Sequence, residues 1–257
     1  MDLHTVSEVV DPRAPWREGD AWLGGGTWLF SEPQPHVTRL RDLGMTRWEP
    51  LVEHADGSVE LAATCTVAQL ARHPLALVKQ CCQAFLASFK IWNVATVGGN
   101  LCAGLPAGPL ISLTAALDGR CLLVDPDGGE RTLSVPELIV GAGRTALRPG
   151  ELLRSITLPA DALSRRHAMR RASLYPLARS AALVIGTRGA DDVVRLTVTA
   201  STQRPHVVAI GQDTDVDAAI EEVVAAEGWY DDIHGDPQWR RHMTLRFAEE
   251  IRQELTS

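Results

Sequence analysis

Two glycine-rich segments, roughly seventy residues apart, constrain this chain more than any other feature. The first is Gly24-Gly25-Gly26-Thr27; the second is Asn93-Val94-Ala95-Thr96-Val97-Gly98-Gly99-Asn100-Leu101. Consecutive glycines let the backbone turn through positive φ and bring several N–H groups to one side, a nest that suits a phosphate. Apolar residues on both sides of Gly24–Thr27 set that turn between two ordered segments. It is not a G-x-G-x-x-G dinucleotide fingerprint, because position 29 is Leu, and no Gly-Lys-Ser/Thr of a P-loop occurs anywhere. Taken alone it reads first as a plain tight turn. The second segment shifts that balance, because Thr96 and Asn100 bracket paired glycines with side chains able to hydrogen-bond a diphosphate or a sugar. Two such loops suggest two walls closing on one extended, phosphate-containing ligand. The competing reading is that Gly98-Gly99 only allows close packing of a buried loop.

Composition excludes several other classes. With 25 Lys+Arg against 32 Asp+Glu and a net charge of −7, the chain is not a general nucleic-acid or membrane-surface binder. Apolar residues at 45% and charged ones at 22% describe a folded globule. The 257 residues allow one large domain or two modest ones. Five cysteines, odd in number and without C-x-x-C spacing, argue against a disulfide scaffold and a zinc site, so no metal ligands are assigned; an iron–sulfur cluster on four of them is the lesser alternative. The opening Met1-Asp2-Leu3-His4 carries no leader signature, so the expected compartment is the cytoplasm. Ile91 to Leu117 is uncharged, but its glycines, prolines and asparagines read as loop plus buried helix rather than a membrane span.

Hairpins are expected at Leu51–Glu53 with Val59–Leu61 and at Leu122–Val124 with Arg131–Leu133, around Asp56-Gly57 and Asp125–Gly129. Ala21–Leu23 and Trp28–Phe30 read as β-like runs flanking the first glycine turn. Thr66 and Gln69 predict a capping box, and Val78, Cys82, Phe85 and Phe89 recur at helical spacing, which makes the Cys81-Cys82 pair core rather than ligands. Leu152–Leu158 reads as a strand that Pro159 ends, and a domain boundary is placed there. Beyond it, six Arg and no acid between Ala162 and Ala190 read mainly as a solvated face or subunit contact. Strands at Ala181–Thr187 and Val193–Ala200 and helices at Val216–Ala226 and Gln238–Leu255 complete the reading.

The loops resemble those of a known family. Gly24–Thr27 is similar to the Ala-Gly-Gly-Thr loop, and Ala95–Asn100 to the Thr-Ile/Val-Gly-Gly-Asn loop, of the FAD-binding medium subunits of molybdenum hydroxylases (xanthine dehydrogenase, carbon monoxide dehydrogenase, aldehyde oxidoreductases). Gly141–Thr145 with Pro149–Leu153, and Asp232–His242, resemble later signatures in the family's order. The resemblance runs from about Trp22 to Leu255 and implies an α+β fold. That fold would be a PCMH-type FAD-binding domain of two α/β subdomains over 1–159, then a small α/β C-terminal domain with a short antiparallel sheet and helices over 160–257. It implies FAD as cofactor, contacted by Leu23, Gly24, Gly25, Gly26, Thr27, Trp28 and Leu29 and by Thr96, Val97, Gly98, Gly99 and Asn100, with Leu153 beside one ring end and Arg170 on the flavin side. Three positions depart from the family. Pro109 stands where Asp contacts the cofactor, Trp92 where Arg or Lys is common, and Trp28 where Asp or Glu is common; the segment before Trp22 is short for the usual first helix.

No nucleophile–base pair, G-x-S-x-G elbow or H-E-x-x-H is present, so no catalytic residue is assigned. The resemblance implies an electron-transfer flavoprotein subunit of an oxidoreductase. Its partners would be a large molybdopterin-binding subunit and a small [2Fe-2S] subunit, in a dimer of heterotrimers, with NAD+, quinone or O2 as acceptor. An assembly subunit with weakened flavin binding, motivated by Pro109, Trp92 and Trp28, is the first alternative; a free-standing flavin oxidoreductase is the second.

Overall fold

The computed structural model describes residues 4–257; Met1 to Leu3, on which the leader reading partly rests, lie outside the described residues. The N-terminal unit is a parallel sheet of β1 (Glu8–Val10), β2 (Asp20–Leu23) and β3 (Arg39–Asp42), in the order β1-β3-β2. Among the described residues no α-helix of its own covers this sheet, only a 3-10 turn over Leu43–Thr46 that follows β3. A cation–aromatic stack closes it instead: the Arg41 guanidinium lies 4.6 Å from the Trp22 ring and 5.3 Å from Trp16. Arg41 also donates to the carbonyls of Pro12 and Ala14, and with Arg39 it holds the buried Asp20 carboxylate at 3.0 and 2.6 Å. The Arg39 guanidinium beside Asp20 keeps that carboxyl down at about 2. Trp22 Nε1 donates to the Gly150 carbonyl at 3.1 Å, which ties this sheet to the next layer.

That layer is an antiparallel sheet in the order β4-β5-β10-β6-β7, comprising β4 (Leu51–Glu53), β5 (Val59–Ala62), β6 (Arg120–Val124), β7 (Glu130–Ser134) and β10 (Leu152–Leu158). Both expected hairpins form in it. A two-stranded hairpin, β8 (Ile139–Gly141) and β9 (Arg144–Thr145), follows β7 through a short helix, α6 (Val135–Leu138). Helices α1 (Val67–Leu70), α2 (Ala76–Ala84), α3 (Phe89–Trp92), α4 (Val97–Ala103) and α5 (Pro109–Ala116) pack between β5 and β6 in chain order. The Thr66–Gln69 capping box opens α1. All of α5 is buried, which accounts for the uncharged stretch that contains it. Helical spacing alone does not carry the α2 register through Phe89. Leu86 takes a left-handed φ of 48°, and Phe89 falls on the separate α3 with 74% exposure.

The last layer is an antiparallel sheet of β11 (Arg166–Ala172), β12 (Ala182–Arg188), β13 (Val194–Thr199) and β14 (His206–Ile210), covered by α8 (Val216–Val224) and α9 (Pro237–Thr256) and entered through α7 (Ala160–Ser164). Arg240, 1% exposed, organises its end by donating to the carbonyls of Gly235, Ala181 and Ala200 and to Asp232. The Asp232–His242 signature is thus a hub that collects three orphan carbonyls. α5 joins the layers: its Ser112 hydroxyl lies 2.7 Å from that of Thr199, and the Ala200 N–H donates to the Pro106 carbonyl. The whole is an α+β architecture. Among the described residues no helix is long and apolar enough to cross a membrane, and no group of three or more His, Cys, Asp or Glu could hold a metal.

Candidate cofactor-binding site

The two glycine segments meet. Gly25 lies so close to the second segment that a Cβ there would sit 1.6 Å from the Val94 carbonyl oxygen, and one on Gly24 would sit 3.1 Å from Thr96 Oγ1. Only a glycine at position 25 permits this approach, which is the physical reason for consecutive glycines here. Gly26 follows with a φ of +68°, and the Phe30 ring occupies the space a side chain on it would need. The Phe30 N–H bonds the Gly26 carbonyl at 2.8 Å, closing a turn over residues 27–31. Trp28–Phe30 is therefore this turn and not the β-like run its composition suggests.

The segments differ in what their backbones offer. From Gly24 through Leu29, no backbone N–H donates to an acceptor within the described residues. Among the described residues these six successive amides have no partner, and the left-handed Gly26 sits in their midst, so the loop is rich in free donors. In the second segment the amides of residues 97–100 are engaged. Val97 N–H bonds the Cys65 carbonyl at 2.8 Å, Gly98 N–H the Ala63 carbonyl at 2.9 Å, and Gly99 N–H the Thr96 hydroxyl at 3.0 Å. Gly98 is buried, and a Cβ on it would lie 2.5 Å from that of Ala63. The close-packing reading thus holds for Gly98. Thr96 is an N-cap for α4, and Asn100 Oδ1 accepts the Leu110 N–H at 3.2 Å. The second segment is a buttress that fixes the first.

These observations fit a diphosphate. The first loop supplies free N–H groups, and neither 21–31 nor 91–117 contains an acid that would repel an anion. Neither stretch contains a cation, so amide dipoles carry the electrostatics at this place. Pro109 sits at the first position of α5, where its missing N–H costs nothing, and Leu110 supplies the amide that fixes Asn100.

Of the remaining expected contacts, Leu23 ends β2 and Leu29 lies in the turn, both beside the first loop and both half-buried. Val97 is fully buried in the main core. Leu153 is 2% exposed and packs in the same core from β10. Arg170 is not brought to the loops. Its guanidinium reaches Glu250 at 3.3 Å and Glu254 at 2.6 Å on α9, and those acids raise its pKa. Alternation along β11 turns Met169 and Arg171 the other way, where they line a groove of about 310 Å³ with Gln80, Gln83 and Ala84 of α2. Arg171 is held there by Ser180 Oγ at 2.7 Å and the Ala178 carbonyl. The Arg-rich run is therefore a strand with two differently occupied faces. Its alternation was masked because Arg stands at positions on both sides.

Residues 20–161 match the family described as FAD binding domain in molybdopterin dehydrogenase. The chain belongs to this family. Among curated relatives, it is 28% identical to the putative xanthine dehydrogenase FAD-binding subunit XdhB of Escherichia coli (strain K12) over 53% of this chain and 49% of that one. It is 27% identical to the nicotinate dehydrogenase FAD-subunit of Eubacterium barkeri over 68% of this chain and 61% of that one. With xanthine dehydrogenase of Oryza sativa subsp. japonica it shares 33% identity over 30% of this chain and 6% of that protein. The chain thus spans about half the length of the two curated subunits and a small part of the plant enzyme. Its fold matches reconstituted CO dehydrogenase from Oligotropha carboxidovorans with a TM-score of 0.78 at 21% identity, covering 93% of this chain and 90% of that one. Quinoline 2-oxidoreductase from Pseudomonas putida 86 gives a TM-score of 0.76 at 18% identity, over 92% and 89%.

Proposed function

We propose that this chain holds FAD as the electron-relay subunit of a cytoplasmic molybdenum hydroxylase. A large molybdopterin-binding subunit would oxidise the substrate, and a small [2Fe-2S] subunit would deliver the electrons, in a dimer of heterotrimers. When bound, FAD supplies a centre that takes electrons singly and passes them on in pairs to NAD+, quinone or O2. The chain's own residues bind and orient it. The observation that carries this reading is the run of unpartnered amides from Gly24 to Leu29, held in place by the engaged second loop. Those amides would meet the diphosphate, with Thr27, Trp28, the free Nδ2 of Asn100 and exposed Gly99 at its margins. The buried Val97, Gly98 and Leu153 would support this arrangement from behind, as would the Thr96 cap. We further assign 1–159 to the FAD-binding domain and 160–257 to a C-terminal domain; the family match ending at residue 161 supports this division. Purification of the native complex tests the reading. Flavin and molybdenum should co-purify with the chain, and a complex lacking both would refute it.

A specific observation favours one second reading, an assembly subunit that binds FAD weakly. The amides of the second loop are engaged internally, and neither loop region carries a cation to offset the diphosphate charge. Visible flavin absorbance after mixing the purified full chain with FAD separates the readings, since only the relay role needs stoichiometric retention.

A further inference from the structure

Trp28 occupies an unusual place for a large apolar side chain. It is 42% exposed in the turn that directly follows the glycines, and it makes no stacking contact with another aromatic or cationic side chain among the described residues. A single exposed tryptophan is ordinarily unremarkable. Here three observations set it apart. Its turn is fixed by the Phe30 ring against Gly26, by the bond from Phe30 N–H to the Gly26 carbonyl, and by Ser31 Oγ donating to the Trp28 carbonyl at 2.7 Å. Its own N–H belongs to the unpartnered run of amides. The facing segment, whose Val94 carbonyl meets Gly25, also leaves Ile91 and Val94 exposed, at 36% and 44%. The loop joint therefore presents a donor-rich backbone bordered by uncovered apolar surface, which is the complement of a diphosphate flanked by aromatic rings.

Resting on the FAD reading above, we infer that Trp28 is a cofactor-binding residue whose indole stacks on an aromatic ring of bound FAD. An indole at this position offers dispersion and π contact without charge. Stacking of this kind is sequence-tolerant and is lost on truncation to alanine, typically at a cost of about tenfold or more in affinity.

The test is titration of the purified full chain with FAD, read by tryptophan emission and by the flavin visible spectrum, for wild type, Trp28→Phe and Trp28→Ala. The inference predicts that wild type loses an emission component on binding that both variants lack. Affinity should stay within about threefold for Trp28→Phe and fall about tenfold for Trp28→Ala. If the stacked ring is the isoalloxazine, the bound flavin band also differs between wild type and Trp28→Phe; if it is adenine, only the tryptophan emission differs. Equal quenching and equal affinity in all three proteins would overturn the inference while leaving FAD binding intact. Failure of wild type to bind FAD would instead refute the reading on which the inference rests. Far-UV circular dichroism on both variants confirms that the fold is retained.

Discussion

Gly25→Ala tests the docking of the two loops. The added Cβ would lie 1.6 Å from the Val94 carbonyl oxygen, against an ordinary contact of 3.4–4 Å, so the loops must separate by nearly 2 Å. The obstructing atom is backbone and cannot rotate away. Overpacking typically costs about 1–3 kcal/mol, and a rigid backbone neighbour puts this site at the upper end, about 3 kcal/mol. That is a large share of a domain stability of about 5–15 kcal/mol. For a chain of this size it corresponds to a lowering of Tm by roughly 6–12 °C. Gly24→Ala is the matched control. Its Cβ would meet Thr96 Oγ1 at 3.1 Å with no positive φ, so it should cost less than about 1 kcal/mol. Thermal and urea unfolding of both variants, followed by FAD titration near 10 °C where both remain folded, measures the two effects. Gly25→Ala should be the less stable variant and should bind FAD at least about tenfold more weakly than Gly24→Ala, a difference of about 1.4 kcal/mol. If the two variants unfold together and bind alike, the loops are not docked as described and the reasoning fails.

Further expectations concern the supports of the site. Thr96→Val keeps the shape of the side chain but removes the acceptor for Gly99 N–H, and should cost about 1 kcal/mol by urea unfolding. Arg41→Met leaves the Pro12 and Ala14 carbonyls without their donor and Asp20 with only Arg39 and the Arg17 N–H, so a loss of about 3 kcal/mol is expected, with altered emission from Trp16 and Trp22. Acid should weaken the N-terminal sheet. The Asp20 pKa is depressed from 3.8 to about 2, first by the bond from Arg39, so its stabilisation is fully present above about pH 4 and is lost as pH falls through about 2. Asp20→Asn should be less stable at neutral pH and show a shallower stability decline between pH 4 and 2, read from urea midpoints across that range.

Local chemistry made much of the fold legible. Asp56-Gly57 and Asp125–Gly129 mark the two hairpins, Thr66–Gln69 forms its capping box, and Pro159 follows the last residue of β10. What escaped was set by tertiary context. β11 carries Arg on both faces, so alternation gave no signal until α9 supplied Glu250 and Glu254 to one side and α2 supplied the groove to the other. The break between α2 and α3 depends on a left-handed Leu86, which no propensity favours. The glycine segments were visible as a pair, yet their division of labour was not. Whether an amide in such a loop is free or engaged depends on carbonyls at Ala63 and Cys65, more than thirty residues away in the chain. Arg240 could be seen as part of a motif, but its three carbonyl acceptors come together only in the folded sheet.

Phosphorus NMR of the full chain with FAD tests, at the atoms concerned, whether the Gly24–Leu29 amides hold the diphosphate of FAD. One equivalent of FAD should bind, with its two phosphorus resonances shifted from those of the free cofactor. Amide proton shifts should be confined chiefly to residues 24–29 rather than 97–100, because the latter amides already have partners. Bound FAD with unshifted phosphorus signals, or with its amide shifts centred on 97–100, would contradict this binding mode.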